Sequence, residues 1–351
     1  MFKEEIMKMR NKKLLSVLLT LTLTGAILSG CGKETSESSS VFEDISGSET
    51  TESSETQPET EDQSKTESTE GSDTQTSEAP AATGDLYEDV KTGAAKAKFT
   101  KSGDRASYLT LSEVLKDGES YSLPEIIEKL QSGGSYSFKT NGEGTFRSID
   151  CGNDGNKELL YQQEFTADDM GGEVFTLFMI LKDMGGELKI CYDQDMWSRS
   201  DVTINDDGTI YGSGSGGAAL HVYDFAYVDA KGDYHFYYGS EENITPFGDF
   251  YYNVNGESKS ISLEGLDTDH LIINTYYFEP EYEKRNDYVS FNMIDDNYNL
   301  VTKDEDYTDS NEVYKRLSEN GIKVYKNLEL ANLLHDRAVE IGYPDTSDGE
   351  N

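Results

Sequence analysis

Between Lys33 and Gly84 the chain has almost nothing to fold with. Its only large apolar side chains there are Val41, Phe42 and Ile45, against 22 Ser or Thr and 14 acidic residues. Such a segment buries too little surface to offset the entropy of ordering its backbone, so it is predicted to be disordered. Globular structure in this 351-residue chain is therefore expected beyond it. As a flexible coil the segment spans about 40 Å end to end, and ~180 Å at full stretch; its carboxylates favour the longer value.

Charge divides the chain at the same place. Residues 1–30 carry a net +3, residues 33–84 a net −12 and residues 85–351 a net −29, for a total of −38. Such a surface disfavours nucleic acid, whose phosphates require clustered Lys and Arg. Three cysteines are too few for a disulfide-built miniprotein.

Lys8, Arg10, Lys12 and Lys13 form a cationic flank to Leu14–Leu28, an uncharged run shorter than the ~20 residues of a permanent bilayer span. This order reads as an export signal over residues 1–30. The run closes Leu28-Ser29-Gly30-Cys31, which resembles the bacterial lipobox. The resemblance implies that Cys31 accepts a diacylglyceryl thioether and becomes the mature N-terminus, with two or three acyl chains such as palmitate. One chain anchors only marginally and two or three durably, each buried methylene contributing about 0.8 kcal/mol. The expected location is the extracytoplasmic face of the cell membrane, with the membrane itself as a partner. Residues 31–84 then form a lipidated cysteine and acidic tether, similar in composition to the tethers of Gram-positive surface lipoproteins.

Residues 85–345 are expected to form a single extracytoplasmic domain, with a disordered tail at 346–351. All 23 tyrosines lie in it, with 12 Phe and Trp197, a composition that favours pleated, half-buried surfaces. Capping boxes at Thr110–Glu113 and Ser122–Glu125 predict two opening helices. From 136 to 303, strand-like runs alternate with turn signals: Lys182–Gly186, Asn205–Gly208, Asp229–Gly232 and Asp295–Asn299. Two closing helices are predicted, one from Asp309–Glu312 to Gly321. The other is expected to be capped by Asn327 and ended by Gly342 and Pro344, with Leu330, Leu333, Leu334 and Ile341 as the stripe that packs on the sheet. The expected fold class is α+β: an antiparallel β-meander sheet with N-terminal helices and two C-terminal helices. The absence of strand–helix alternation excludes a doubly wound nucleotide-binding fold.

The sharpest motif is Asp150-Cys-Gly-Asn-Asp-Gly-Asn-Lys-Glu-Leu159. It resembles the calcium loop of FG-GAP and VCBS-type repeats. The resemblance implies Asp150, Asp154, Asn156 (through its carbonyl) and Glu158 as calcium ligands, although Gly152 stands where a further ligand is usual. Calcium requires six to eight oxygens, so that departure weakens the site. The alternative is a metal-free hairpin loop held by Asx turns. The run Gly212-Ser-Gly-Ser-Gly-Gly217 lacks the Lys-Ser/Thr of a phosphate loop and reads as a flexible or bulged strand connection. His221, His235, His270 and His335 show no metal-ligand spacing, and His235 is expected opposite Tyr227. Cys151 and Cys191 are either a disulfide pair or two buried thiols. Tyr234–Tyr238 and Phe247–Tyr252 present rings either for sugar stacking or for the sheet's own core. The stretch from Trp197 to Tyr238 resembles surface lipoproteins of Firmicutes type, which implies a location and no activity.

These readings point to a membrane-anchored binding or scaffold lipoprotein with a glycan or envelope ligand and no catalytic residues. A surface hydrolase of glycans or envelope polymers, working through paired carboxylates, is the alternative. Calcium is the one candidate cofactor. The ligand and the oligomeric state are not written in the sequence.

Overall fold

In the computed structural model, residues 81–101 and 108–344 are described; the leader, Cys31, the tether to residue 80 and the 346–351 tail lie outside the described residues. Thr83 and Gly84 donate their backbone N–H groups to the Asp89 carboxylate at 2.6 and 3.1 Å. Asp85 caps α1 (Leu86–Thr92) by accepting from the N–H groups of Tyr87 and Glu88, a helix the sequence reading did not anticipate. A short strand, β1 (Ala97–Lys98), precedes the single turn α2 (Leu111–Val114), then β2 (Ser120–Tyr121) and α3 (Leu123–Gly133). The Ser122–Glu125 box closes as expected. The Ser122 N–H donates to Glu125 at 2.7 Å, the Glu125 N–H returns to the Ser122 hydroxyl, and Pro124 occupies the first turn. Thr110 does not cap α2 through its side chain, and that helix stops after one turn.

Among the described residues the strands form two six-stranded sheets and one separate two-stranded hairpin. β3 (Phe138–Ile149), β4 (Glu158–Ala167), β5 (Glu173–Asp183) and β6 (Leu188–Met196) pair antiparallel in succession, and β1 adds to β6 in parallel, giving the order β2-β1-β6-β5-β4-β3. In the second sheet, β7 (Ser200–Ile204), β8 (Thr209–Ser215), β9 (Leu220–Val228) and β10 (Tyr234–Ile244) are consecutive hairpin strands. After a separate hairpin of β11 (Asp249–Val254) and β12 (Glu257–Ser262), β13 (Leu271–Tyr277) and β14 (Tyr288–Met293) complete the order β14-β13-β10-β9-β8-β7. The last described helices are α4 (Glu312–Glu319), capped by Asn311, and α5 (Asn327–Ile341), ended by Gly342 at φ 69°; Asn327 is the first helical residue of α5 and not its cap, because Glu329 reaches back to the Lys326 N–H.

The class is α+β, as expected, but two sheets replace the one meander. β6 is flanked by β5 and β1, so both its edges are taken and β7 must begin a new sheet. The turns at Asn205–Gly208 and Asp229–Gly232 form as expected, with Gly208 and Gly232 at φ 86° and 76°.

Side-chain alternation in the first sheet sets the layers. Along β5, Phe175, Leu177, Met179 and Leu181 join Ile126 and Leu130 of α3 in one core. Phe178 and Ile180 face the other way, onto Ile204, Ile210, Ala226 and Val228 of the second sheet. On the far face of the second sheet, Leu330 and Leu334 of α5 bury against Tyr238 with Leu333 half-buried beside them, so the expected stripe packs through these three and Ile341 stays outside the cluster. α4 packs with β13 and β14 through Val313, Leu317, Ile273 and Phe291.

Candidate functional site

The two sheets pack closely at one end and part at the other, leaving a cleft of about 650 Å³ between β6 and the inner face of β7–β10 and β13. One cross-strand row makes its floor. Val202 of β7 pairs with Gly212 of β8, Gly212 with Asp224 of β9, Asp224 with Gly239 of β10, and Gly239 with Tyr277 of β13. Asp224 therefore has a glycine on each side, and its carboxylate stays open to the cleft. Gly239 exists for the neighbouring ring: a methyl group there would fall 2.2 Å from Tyr277. The ring lies across that gap, donates its hydroxyl hydrogen to Asp224 at 3.2 Å, and is covered by the Arg285 guanidinium at 3.8 Å from its centre. Arg285 is in turn fixed by Glu241 and Asp287, each at 2.7 Å.

The walls are aromatic. Tyr192 of β6 and Tyr234 of β10 stack across the sheets at 5.6 Å and 19°. Trp197 and Tyr108 meet edge to face at 5.4 Å, and Phe236 stacks on Tyr277 at 6.1 Å. Among the described lining residues the charged ones are Asp195, Asp201 and Asp224. Asp195 holds the chain at 108–109, accepting from the Tyr108 and Leu109 N–H groups. Desolvation by the surrounding protein raises the Asp224 pKa to about 6. The Tyr277 hydrogen bond opposes this, Glu241 adds to it and Arg285 reduces it. A second recess of about 450 Å³ shares Tyr234, Phe236 and Pro280 with the cleft. Its basic side chains are committed: Lys189 pairs with Asp233, Arg337 with Glu340, and the His235 ring hydrogen-bonds Asp229.

The loop singled out as a calcium site is arranged around its own hydrogen bonds. Asp150 accepts from the Gly155 N–H at 3.1 Å and pairs with the Lys157 ammonium at 2.9 Å. Both oxygens of Asp154 are engaged by Asn156, through its backbone N–H and its side-chain amide. Glu158 turns away from the loop into the interior, where it accepts from the Cys151 N–H at 2.7 Å and pairs with buried Lys182. The missing ligand at Gly152 has a packing reason. A methyl group there would fall 2.8 Å from the Ala230 nitrogen, so the loop can seat on the 229–232 turn only with glycine at this position. Among the described residues, no group of three His, Cys, Asp or Glu side chains is placed to hold a metal ion.

Cys151 and Cys191 are free and buried. His235 lies opposite Tyr227, as expected, and His221 is paired with Glu242, six register pairs along β10. His270 bridges Asp267 and Asp296 at 3.0 Å each, which lifts its pKa to about 9.

The sequence reading missed the cleft. The glycine run taken for a loose connection is the paired strand β8, and Gly212 and Gly214 line the cleft. The available signal was alternation: Ile210, Gly212 and Gly214 share one face with Asp224 across the hairpin, so small residues opposite a carboxylate mark an open floor. The expected rings do serve here in part. Tyr234 and Phe236 face the cleft, whereas Tyr238 is buried under α5 and Phe250 and Tyr252 lie in the β11–β12 core. Comparison with protein-family models, curated proteins and solved structures returns no match.

Proposed function

We propose that this chain is a membrane-anchored extracytoplasmic lipoprotein whose folded body is a non-catalytic binding module. The cleft between the sheets is its binding element, and its ligand is a glycan or other envelope-derived molecule. The observation that carries this reading is the floor row Gly212–Asp224–Gly239–Tyr277, in which Gly212 leaves space beside one carboxylate and Gly239 admits the ring that borders it. A sheet-to-sheet core would fill such positions with branched side chains. Concave sites lined by rings with a few fixed polar groups are the usual form of a ligand site, and flat rings suit the apolar faces of sugars. The anchor rests on Leu28–Cys31, and the tether on the composition of 33–84.

A binding screen of the full chain in detergent micelles against glycans and envelope fragments tests this. A ligand whose binding is lost in Gly212→Val, with folding retained, supports the reading; equal binding by that variant overturns it. One observation favours hydrolysis as the alternative. A carboxyl group with its pKa raised to about 6 is suited to act as a general acid. If so, products accumulate in the screen, and Asp224→Asn binds without releasing them.

A further inference from the structure

The cleft's chemistry can be taken one step further, resting on the reading of the cleft as a binding site. We propose that it recognises an organic ammonium group, with Asp224 as counter-ion and the surrounding rings as its walls. Three independent features converge on this. Among the described lining residues there is no Lys, Arg or His, while Asp224 opens into the space. The cation closest to the floor, Arg285, is held by Glu241 and Asp287 and spends its face on Tyr277, so it does not fill the site. Aromatic rings attract cations through their quadrupole, most strongly in a partly desolvated setting, and Tyr192, Tyr234, Phe236 and Trp197 line the space beside this one carboxylate.

The design of the floor favours a bulky head group over a small ion. With Gly212 on one side and the Tyr277 ring over Gly239 on the other, Asp224 accepts from Tyr277, and the width of one missing side chain beside Gly212 is left for the ligand. A bare metal ion needs several converging oxygens, and no such group of three occurs among the described residues. An ammonium group needs one carboxylate and ring faces. The net charge of −29 over residues 85–351 also draws cations toward the body and repels anions.

The test uses two probes of equal shape, choline and its uncharged isostere 3,3-dimethylbutan-1-ol, titrated calorimetrically into the full chain in detergent micelles. The expected result is at least a tenfold preference for choline at pH 7.5, lost in Asp224→Asn. The preference should also shrink between pH 7 and pH 5 as Asp224 takes up a proton. The groups facing Asp224 are Tyr277 of β13, Glu241 of β10 and Arg285, with Tyr192 of β6 across the cleft; a pH effect that persists unchanged in Asp224→Asn contradicts Asp224 as its source. Equal affinity for the two probes, or a preference that survives in Asp224→Asn, overturns ammonium recognition while leaving a neutral-ligand cleft intact. Binding of neither probe also overturns it, and the glycan and envelope screen with Gly212→Val then judges the broader reading on its own. Circular dichroism of both variants separates loss of binding from loss of fold.

Discussion

Asp224 works against the stability of the fold that carries it. Its native pKa of about 6 lies above the ordinary carboxylate value near 3.9, so the folded chain holds this proton more tightly than the unfolded one does. The stabilising contribution is complete below about pH 4 and is lost as pH rises through 6. Asp224→Asn is therefore expected to raise stability at pH 7.5 by about 1 kcal/mol, a value reduced because water reaches the carboxylate from the cleft. Urea melts of both proteins at pH 4.5 and 7.5 check this: the gain should appear only at the higher pH. Glu158 and Lys182 behave oppositely. Both are buried, and each is the other's counter-charge. Lys182→Met should cost about 3–5 kcal/mol by stranding a carboxylate, and the pair replacement Glu158→Leu with Lys182→Met should recover most of it. With Glu158 so committed and Gly152 closed to any side chain, millimolar calcium is expected to leave the melting temperature unchanged. A rise of several degrees that disappears in Asp154→Ala would instead establish the loop as a calcium site.

Two turns converge on the buried thiols, and glycine permits each contact. Gly208 lies so close to Cys151 and the Val228 carbonyl that a methyl group would fall 2.9 and 2.6 Å from them, and Gly232 meets Cys191 and Lys182 in the same way. Both glycines have positive φ, so Gly208→Ala adds backbone strain to overlap and should cost at least ~2 kcal/mol in a chemical melt. Burial raises both thiols, Cys191 to about 12. Neither should react with iodoacetamide in the native protein at pH 8, and both should react in urea without reductant; a requirement for reductant would mean they are joined. These hairpins were legible because Asn-Asp-Asp-Gly and Asp-Ala-Lys-Gly name their own conformation. α1 was not, since seven residues give little periodicity, nor was the parallel pairing of β1 with β6, which depends on contacts some ninety residues apart. β8 was misread because glycine carries no hydrophobic signal, so a strand that exists to leave space looked like a gap between strands.

For the molecule as a whole, sequence speaks most directly about place and structure about the cleft. The expected leader is read from a cationic flank and an apolar run, and the expected tether from its acidic charge and lack of apolar residues, properties that need no tertiary contact to read. The cleft depends on where two sheets separate, which no local pattern encodes. If Cys31 carries the anchor, Cys31→Ser should move the protein from the membrane fraction to the medium or leave it unprocessed; unchanged retention with normal processing would reject lipidation. The tether then gives the cleft a reach of tens of ångströms from the bilayer. The most direct test of the central claim uses the chain's only tryptophan, Trp197, which lines the cleft. Titrating envelope fragments into the full chain should change its fluorescence saturably, and Gly212→Phe, which fills the floor, should abolish the change. No change in the native protein, or the same change in the filled variant, would contradict a binding cleft between the sheets.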